Sequence, residues 1–206
     1  MNKDIINILG TGGHAKVIID AVILSGNAVS GLFDDDSEKW GSSFGNCQIK
    51  GAIDSTITGL SVIAIGNNRI RKNIQAVVSN AKWKTVIHPT AIIAEDVIIG
   101  DGTVIMAGAI IQAGTVIGSH CIINTGACID HDCIIEDFVH IAPNCSLAGG
   151  IKIGEGTFVG IGSSIIQNKI VGSWTTVGAG SVVIQDIPDN STVVGVPASL
   201  IKYNNE

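Results

Sequence analysis

From Ile87 onward the chain advances in steps of six residues, and this period limits the fold more than any other feature of the sequence. The first position of every step is Ile, Leu or Val for seventeen consecutive steps, from Ile87, Ile93 and Ile99 to Val171, Val177 and Val183, with no slip of frame. Four residues further on the side chain is mostly small, as in Ala91, Thr103, Ala109, Cys121, Ala127, Cys133 and Cys145. Three residues on, glycine recurs at Gly102, Gly108, Gly114, Gly126, Gly150, Gly156, Gly162 and Gly180, with Asn144 and Asn168 in the same place. Glycine and asparagine enter positive φ at little cost, so each step predicts one tight corner. A short strand, a corner and another short strand every six residues describe a parallel β-helix of triangular section. Periodicity establishes the repeat and leaves its hand open.

Composition narrows the class further. The 206 residues include 26 glycines; 46% are hydrophobic, 15% charged and 4% aromatic. So much aliphatic content with so little charge excludes a disordered chain, and so much glycine opposes a helical domain. A net charge of −6 and a pI near 5.2 leave no basic footprint for nucleic acid. The apolar stretches are interrupted well short of the ~20 residues of a membrane span. The opening Met1-Asn2-Lys3-Asp4 lacks the basic-then-apolar pattern of a signal peptide. Five cysteines with no C-x-x-C pair supply neither a disulfide framework nor a zinc knuckle. Three of them, Cys121, Cys133 and Cys145, fall on the small-residue position, where burial makes them inert. A cytoplasmic, reduced protein with no membrane span is expected.

Residues 1–85 follow a different logic and are read as a separate domain, with the β-helix over 86–206. Ile5 to Leu9 predicts a strand, and Gly10-Thr11-Gly12-Gly13-His14 a loop. Ala15 to Ser25 predicts a helix with Val17, Ile18, Ala21, Val22 and Leu24 as its apolar face. Val29 to Phe33 predicts a second strand ending in Asp34-Asp35-Asp36. Ser61 to Ile65 predicts a third, followed by Gly66-Asn67-Asn68 and a helix from Arg69 to about Asn80. This order implies a small Rossmann-like parallel sheet with its loops at the strand C-termini, where open α/β sheets bind ligands.

Two constellations point to chemistry. Gly10-Thr11-Gly12-Gly13-His14-Ala15 fits G-x-G-x-x-A between a strand and a helix, a loop that lets backbone approach a diphosphate. The acidic pair Asp34 and Asp35 lies about twenty residues on, where a ribose hydroxyl is recognised. A domain of this size is half a dinucleotide fold, so a nucleotide diphosphate with a sugar attached is a better-sized ligand than NAD. Among five histidines, His131 stands out at a corner, flanked by Asp130 and Asp132, whose carboxylates favour its charged form. His140 ends the next step, on a neighbouring face, and a groove between packed subunits would bring such residues together.

Several matches in the right order resemble one family over nearly the whole chain: Gly10-Thr11-Gly12-Gly13-His14, Phe33-Asp34-Asp35, Ala64-Ile65-Gly66-Asn67-Asn68-Arg69-Ile70-Arg71, Asn124-Thr125, Ile129-Asp130-His131-Asp132-Cys133, Asp137-Phe138-Val139-His140 and Val194-Gly195-Val196-Pro197-Ala198. The chain is similar to the bacterial sugar acetyltransferases of sialic-acid and bacillosamine biosynthesis, and most to those that N-acetylate a UDP-linked 4-amino sugar. The resemblance implies a left-handed β-helix, a homotrimer, and acetyl-CoA as co-substrate in the groove between subunits. It implies His131 as general base, tuned by Asp132, which stands where the nearest relatives carry Glu. Gly12, Gly13, His14, Asp34, Asp35 and Gly66 would line the nucleotide-sugar site. His140, Ile161 and Ala179 would touch acetyl-CoA, Ala179 replacing a family Gly.

Other readings remain at this level. They are O-acetylation of a sialic or related nonulosonic acid, a non-catalytic nucleotide-sugar sensor that only trimerises, and an NAD-dependent enzyme. Metal catalysis is not expected, because the close-spaced histidine pair of the β-helical carbonic anhydrases is absent.

Overall fold

A computed structural model describes residues 3–204; Met1 and Asn2 of the opening segment lie outside it. The first unit is a six-stranded sheet of β1 (Ile5–Leu9), β2 (Ala28–Phe33), β3 (Ser43–Phe44), β4 (Cys47–Gly51), β5 (Gly59–Ile63) and β6 (Ala81–Trp83). Their order is β3-β4-β2-β1-β5-β6, parallel except for the β3–β4 hairpin. Helix α1 (Gly13–Leu24) connects β1 to β2, and α2 (Asn68–Val77) connects β5 to β6. Alternation along the strands divides the apolar residues between two faces. Ile6, Ile8, Leu32 and Val62 pack with α1, while Leu9, Ile63 and Ile53 pack with Ile74 of α2.

The expected elements form, with shifted bounds. Helix α1 begins two residues earlier than its periodicity suggests, so Gly13 and His14 lie in its first turn rather than in the loop. Its buried stripe is Ala15, Ile18, Ala21 and Val22. Val17 and Leu24, expected on that stripe, are exposed because the 3.6-residue period carries them off the packed side. The third strand starts at Gly59 and ends at Ile63, two residues ahead of the expected run. Strands β3 and β6, of two and three residues, are too short to announce themselves by alternation, and β4 has only Ile49 buried along its five.

From Val86 the chain forms seventeen two-residue strands, β7 (Val86–Ile87) to β23 (Val182–Val183), one per six-residue step. From β7 to β20 each pairs in parallel with the strand eighteen residues on, as Val104 does with Ile122 and Ile122 with His140. Three strands therefore make one coil, and the sheets are the three faces of a parallel β-helix. The chain closes with β24 (Ser191–Val194) and an antiparallel β25 (Ser199–Tyr203). Inside, the aliphatics of successive coils stack: Ile105, Ile123, Ile141, Val159 and Val177 on one face are all buried.

The small-residue column does more than fill space. Thr103 Oγ1 donates to Gly118 O at 2.8 Å, Thr157 Oγ1 to Gly172 O at 2.6 Å, and Ser163 Oγ to Gly178 O at 2.8 Å. The thiols of Cys121 and Cys145 donate in the same way, each at 3.0 Å, to Glu136 O and Gly160 O. These side chains satisfy corner carbonyls that a purely aliphatic core would strand. Burial raises the Cys121 thiol to about 12, consistent with an inert residue.

Every expected glycine corner has positive φ, as have Asn144 and Asn168. Five other non-glycine residues share it: His120, Asp132, Phe138, Trp174 and, beyond the seventeenth step, Asn190. His131 was expected at the corner itself; the left-handed residue is Asp132, with φ 58°, and His131 precedes it. His120, Phe138 and Trp174 lie in one column, and together they form the seam with the first unit. The His120 ring stacks on Phe138 at 5.2 Å and meets the edge of Trp83 at 4.8 Å, while Arg69 lies 4.7 Å over Trp174. Dense packing around bulky left-handed residues is what allows that backbone cost to persist. Among the described residues no helix is long and apolar enough to cross a membrane.

Candidate active site

The C-terminal ends of β1, β2 and β5 carry the residues expected to hold a ligand. Gly10, with φ 105°, serves the fold, since a Cβ there would meet Ile65 Cγ1 at 2.6 Å. Gly12 and Gly13 have ordinary φ, and a Cβ on either would meet no atom within 4 Å. Packing does not require glycine at these two positions; they leave the helix entrance bare. Gly12 is the N-cap of α1 and provides no side-chain cap, and the first turn has no acidic residue. Its backbone N–H groups and the positive end of the helix dipole suit an anion.

The acidic pair is occupied within the chain. The Asp34 carboxylate accepts from Thr11 N at 2.9 Å, from the Thr11 hydroxyl, from Asp36 N at 3.0 Å and from Lys39 Nζ at 3.2 Å. Burial alone would raise its pKa, but these hydrogen bonds outweigh it and leave the group below the usual carboxylate range. Asp35 Oδ1 accepts from Ile53 N at 2.9 Å. Asp34 thus ties the glycine loop to the end of β2, a structural task that the spacing argument did not anticipate.

Beside Gly66 the first unit meets the β-helix. Arg71 is buried and has no carboxylate partner among the described residues; it donates to His120 O and Phe138 O at 2.7 Å, to Ile65 O at 3.1 Å and to Asn68 Oδ1 at 2.9 Å. Asn68 in turn donates to Gly156 O at 2.9 Å. His140 Nδ1–H donates to Gly66 O at 3.2 Å, and its Nε2 accepts from Asn124 Nδ2 at 3.1 Å. His14 lies 6.2 Å from His140, with its Nε2 buried and unpartnered. Burial first, and the Arg71 charge second, push His14 down to about 4 and His140 to about 3, so both are neutral at physiological pH. A groove of about 580 Å³ continues from Gly66 past Phe158 and Trp174 to Lys202.

His131 lies elsewhere, between the other two faces of the β-helix. Its side chain is 61% exposed, and its Nδ1 is 2.8 Å from Asp132 Oδ2. That hydrogen bond, with the charge of Asp130, raises its pKa above 6.5. Donation from Nδ1–H to the carboxylate leaves Nε2 with a free lone pair. Ile161 is exposed at a corner of the His140 face, and Ala179 occupies the same corner one coil on. One chain therefore brings His14 and His140 together beside Gly66, with Gly12 and Gly13 at the start of the helix that carries His14 and Asp34 tied to the loop before it. Of these residues Gly66 alone lines the groove, and His131 and Asp132 lie on another edge of the β-helix. Arg71, Asn124 and Phe158 were not singled out as site residues. Arg71 and Asn124 lie inside the quoted motifs, but Arg71 stands among Asn68, Arg69, Lys72 and Asn73, so nothing local marks it as the buried one. No group of three or more potential metal ligands occurs among the described residues.

Known proteins resemble the chain in both units. The model of the PglD N-terminal domain matches residues 5–78, and that of the bacterial transferase hexapeptide repeats matches residues 97–131. A perosamine N-acetyltransferase from Caulobacter crescentus, crystallised as a histidine-to-asparagine mutant with CoA and GDP-perosamine, is 34% identical over 96% of both chains, with a TM-score of 0.90. The acetyltransferase domain of PglB from Neisseria gonorrhoeae, in complex with acetyl coenzyme A, is 36% identical over 97% of this chain and 100% of that one, also at 0.90. Among curated sequences, UDP-N-acetylbacillosamine N-acetyltransferase of Bacillus subtilis is 42% identical over 110 residues, 48% of this chain. The chain spans half or less of the length of the first curated relatives it matches, 50% for this one. A shared two-unit architecture and more than one-third identity across full-length structures place the chain in the family of sugar acetyltransferases that join a PglD N-terminal domain to a hexapeptide-repeat β-helix.

Proposed function

We propose that the protein transfers the acetyl group of acetyl-CoA to the amine of a nucleotide-linked amino sugar, the 4-amino group of a UDP-linked deoxy sugar being the favoured acceptor. The observation that carries this reading is the pair of opposed histidine environments on one frame. One exposed imidazole has a raised pKa and a free Nε2; elsewhere, two neutral histidines lie together, one of them in the first turn of a helix entered through bare glycines. The relative was crystallised with CoA and GDP-perosamine in one form with no substitution named and in two forms with one histidine replaced, and the choice of a histidine for replacement supports a histidine in the reaction.

Each residue then has a task. His131 Nε2 accepts the proton that the sugar nitrogen loses as the C–N bond forms; the thioester C–S bond then breaks, and the CoA thiolate that leaves takes up that proton from the imidazolium, directly or through solvent. General-base assistance of this kind is worth ~10²–10⁴-fold. Asp132 holds the imidazole in the Nδ1–H tautomer. Gly12, Gly13 and the first turn of α1 receive the diphosphate, and His14 and Gly66 line the sugar cleft. Asp34 acts mainly by shaping the loop, with Asp35 beside it. His140, Ile161 and Ala179 border acetyl-CoA. The division of labour follows the chain, with the nucleotide-sugar domain over 1–85 and the β-helix over 86–206.

The reading requires a partner copy, because one chain separates His131 from the cleft. A homotrimer supplies it. The stripe of Ile98, Val116, Ile134 and Ile170, exposed on one face, supports burial between subunits. Five free cysteines accord with a reducing cytoplasm.

Release of CoA thiol is the test, measured with UDP-linked 4-amino sugars, with a sialic acid and with no acceptor. Acceptor-dependent release with the amino sugar alone supports the reading. Release with the hydroxyl acceptor would transfer it to O-acetylation, and release with none of them would leave a sensor.

A further inference from the structure

The coil beneath His131 differs from every other at one position. In each six-residue step the second residue after the inward-facing aliphatic enters the corner. Over seventeen steps this place holds Pro, Glu, Asp, Ala, Ser, Thr, His, Ile or Gln, and glycine once, at Gly149. Backbone conformation does not demand glycine there: Gly149 is not among the positive-φ residues, whereas its neighbour Gly150, at 70°, forms the corner itself. Ala113 and Gln167, in the same column of corners three coils apart, carry side chains in that place.

What sets Gly149 apart is the ring above it. A Cβ on Gly149 would lie 2.6 Å from both Cε1 and Nε2 of His131, and 3.1 Å from Cδ2. The imidazole therefore rests along one edge on bare backbone, while Nδ1 at its other side is held by Asp132 at 2.8 Å. A side chain 61% exposed and held by a single hydrogen bond would swing freely. Contacts at two edges fix the plane.

We infer that Gly149 is a positioning residue for His131, whose missing side chain is the shelf that places the Nε2 lone pair. The inference rests on the reading of His131 as the base. An added methyl is tolerable for the fold, because the exposed ring can move aside. It is costly for the chemistry, because the ring moves away from Asp132 and from the acceptor.

Gly149→Ala should remain folded with the assembly state of the wild type. Its kcat should fall ~10–100-fold, the cost of misplacing a reacting group by about an ångström, with KM for both substrates within a few-fold. The acid limb of the rate, and the NMR titration of His131 Cε1–H in ligand-free protein, should both move down toward the ordinary histidine value. Asp132→Asn should move the titration the same way, and combining it with Gly149→Ala should add little. An unchanged His131 titration in Gly149→Ala would overturn the shelf. If Gly149→Ala misfolds, the Gly149→Ala/His131→Ala double variant decides: recovery of the fold supports a shelf made for that ring, and continued misfolding overturns it. Failure of the base reading is seen separately, as normal turnover in His131→Ala, because the titration reads the shelf without turnover.

Discussion

His131 and the His14–His140 pair are carried by one scaffold in opposite surroundings. His131 projects from a corner, with a carboxylate as its only side-chain partner, and its pKa is raised. His140 lies under the first unit, bonded to Gly66 O and Asn124, and is pushed down to about 3 by burial and then by Arg71. The same side chain is thus prepared as a proton acceptor in one place and kept neutral in the other. The difference does not come from local sequence alone, since Asp137 lies three residues before His140 much as Asp130 lies beside His131. It comes from what packs on each face: the first unit covers one, and solvent or a partner copy meets the other.

The largest expected effect breaks the exposed half of the comparison. His131→Ala should lower kcat by ~10²–10⁴-fold with little change in KM. In the wild type the rate should fall as pH drops through a value above 6.5, because only the neutral imidazole accepts a proton. That limb should vanish in the mutant. Single-turnover rates within a few-fold of wild type would end the mechanism.

Arg71→Met tests the buried half. It removes five hydrogen bonds to carbonyl and amide oxygens that no water reaches easily, and each stranded acceptor costs ~1–3 kcal/mol. Denaturant melts should show a loss on the order of 3–5 kcal/mol, and in any folded fraction His140 should titrate higher than in wild type. Normal stability would show that the seam does not depend on this residue.

Gly12→Val should sharpen the division between the units. No atom lies within 4 Å of the Cβ position, so folding is spared. Overlap with the diphosphate should weaken nucleotide-sugar binding by about tenfold or more, at 1–3 kcal/mol for a steric intrusion. Calorimetry should find acetyl-CoA binding nearly unchanged, and equal losses for both ligands would contradict the assignment.

The smallest effect at neutral pH is on stability in acid. His14, His120 and His140 have folded-state pKa values of about 4, 4 and 3, below the 6.5 of the unfolded chain. Between these limits the unfolded state binds more protons, so stability present above pH 6.5 is lost as pH falls toward 3–4. Each histidine contributes on the order of 1.4 kcal/mol per pH unit across that window. Replacing His120 with Phe should flatten the fall of Tm with acid, and an unchanged slope would count against a buried neutral ring.

Much of the fold was legible because a six-residue period repeats too often to be misread. Each inward aliphatic, from Ile105 to Val177, is buried where its register puts it. The cysteines at the small position proved to be corner-carbonyl donors, a role that composition does not reveal. In the first unit, single elements had to be read from single runs, so α1 began early and Val17 and Leu24 faced outward. The site was legible as motifs. Its economy was not, since Asp34 is engaged by Thr11, and His131 stands apart from the cleft it is proposed to serve.

Local chemistry written in the sequence determined the coil: Ile, Leu or Val inward, a small residue four positions on, glycine or asparagine at the corner. These are requirements within one turn of chain, repeated until no other fold accommodates them. Only the tertiary structure decided which corners break the rule. The coil itself sets left-handed backbone at His120, Phe138 and Trp174, as at the glycine corners, and bulky side chains are held there because the first unit packs on that column through Trp83, Arg69 and Lys72. His14 and His140 are neutral first because they are buried and second because of the Arg71 charge. Burial and the field of a distant charge depend on what packs from more than fifty residues away, and no local pattern encodes that.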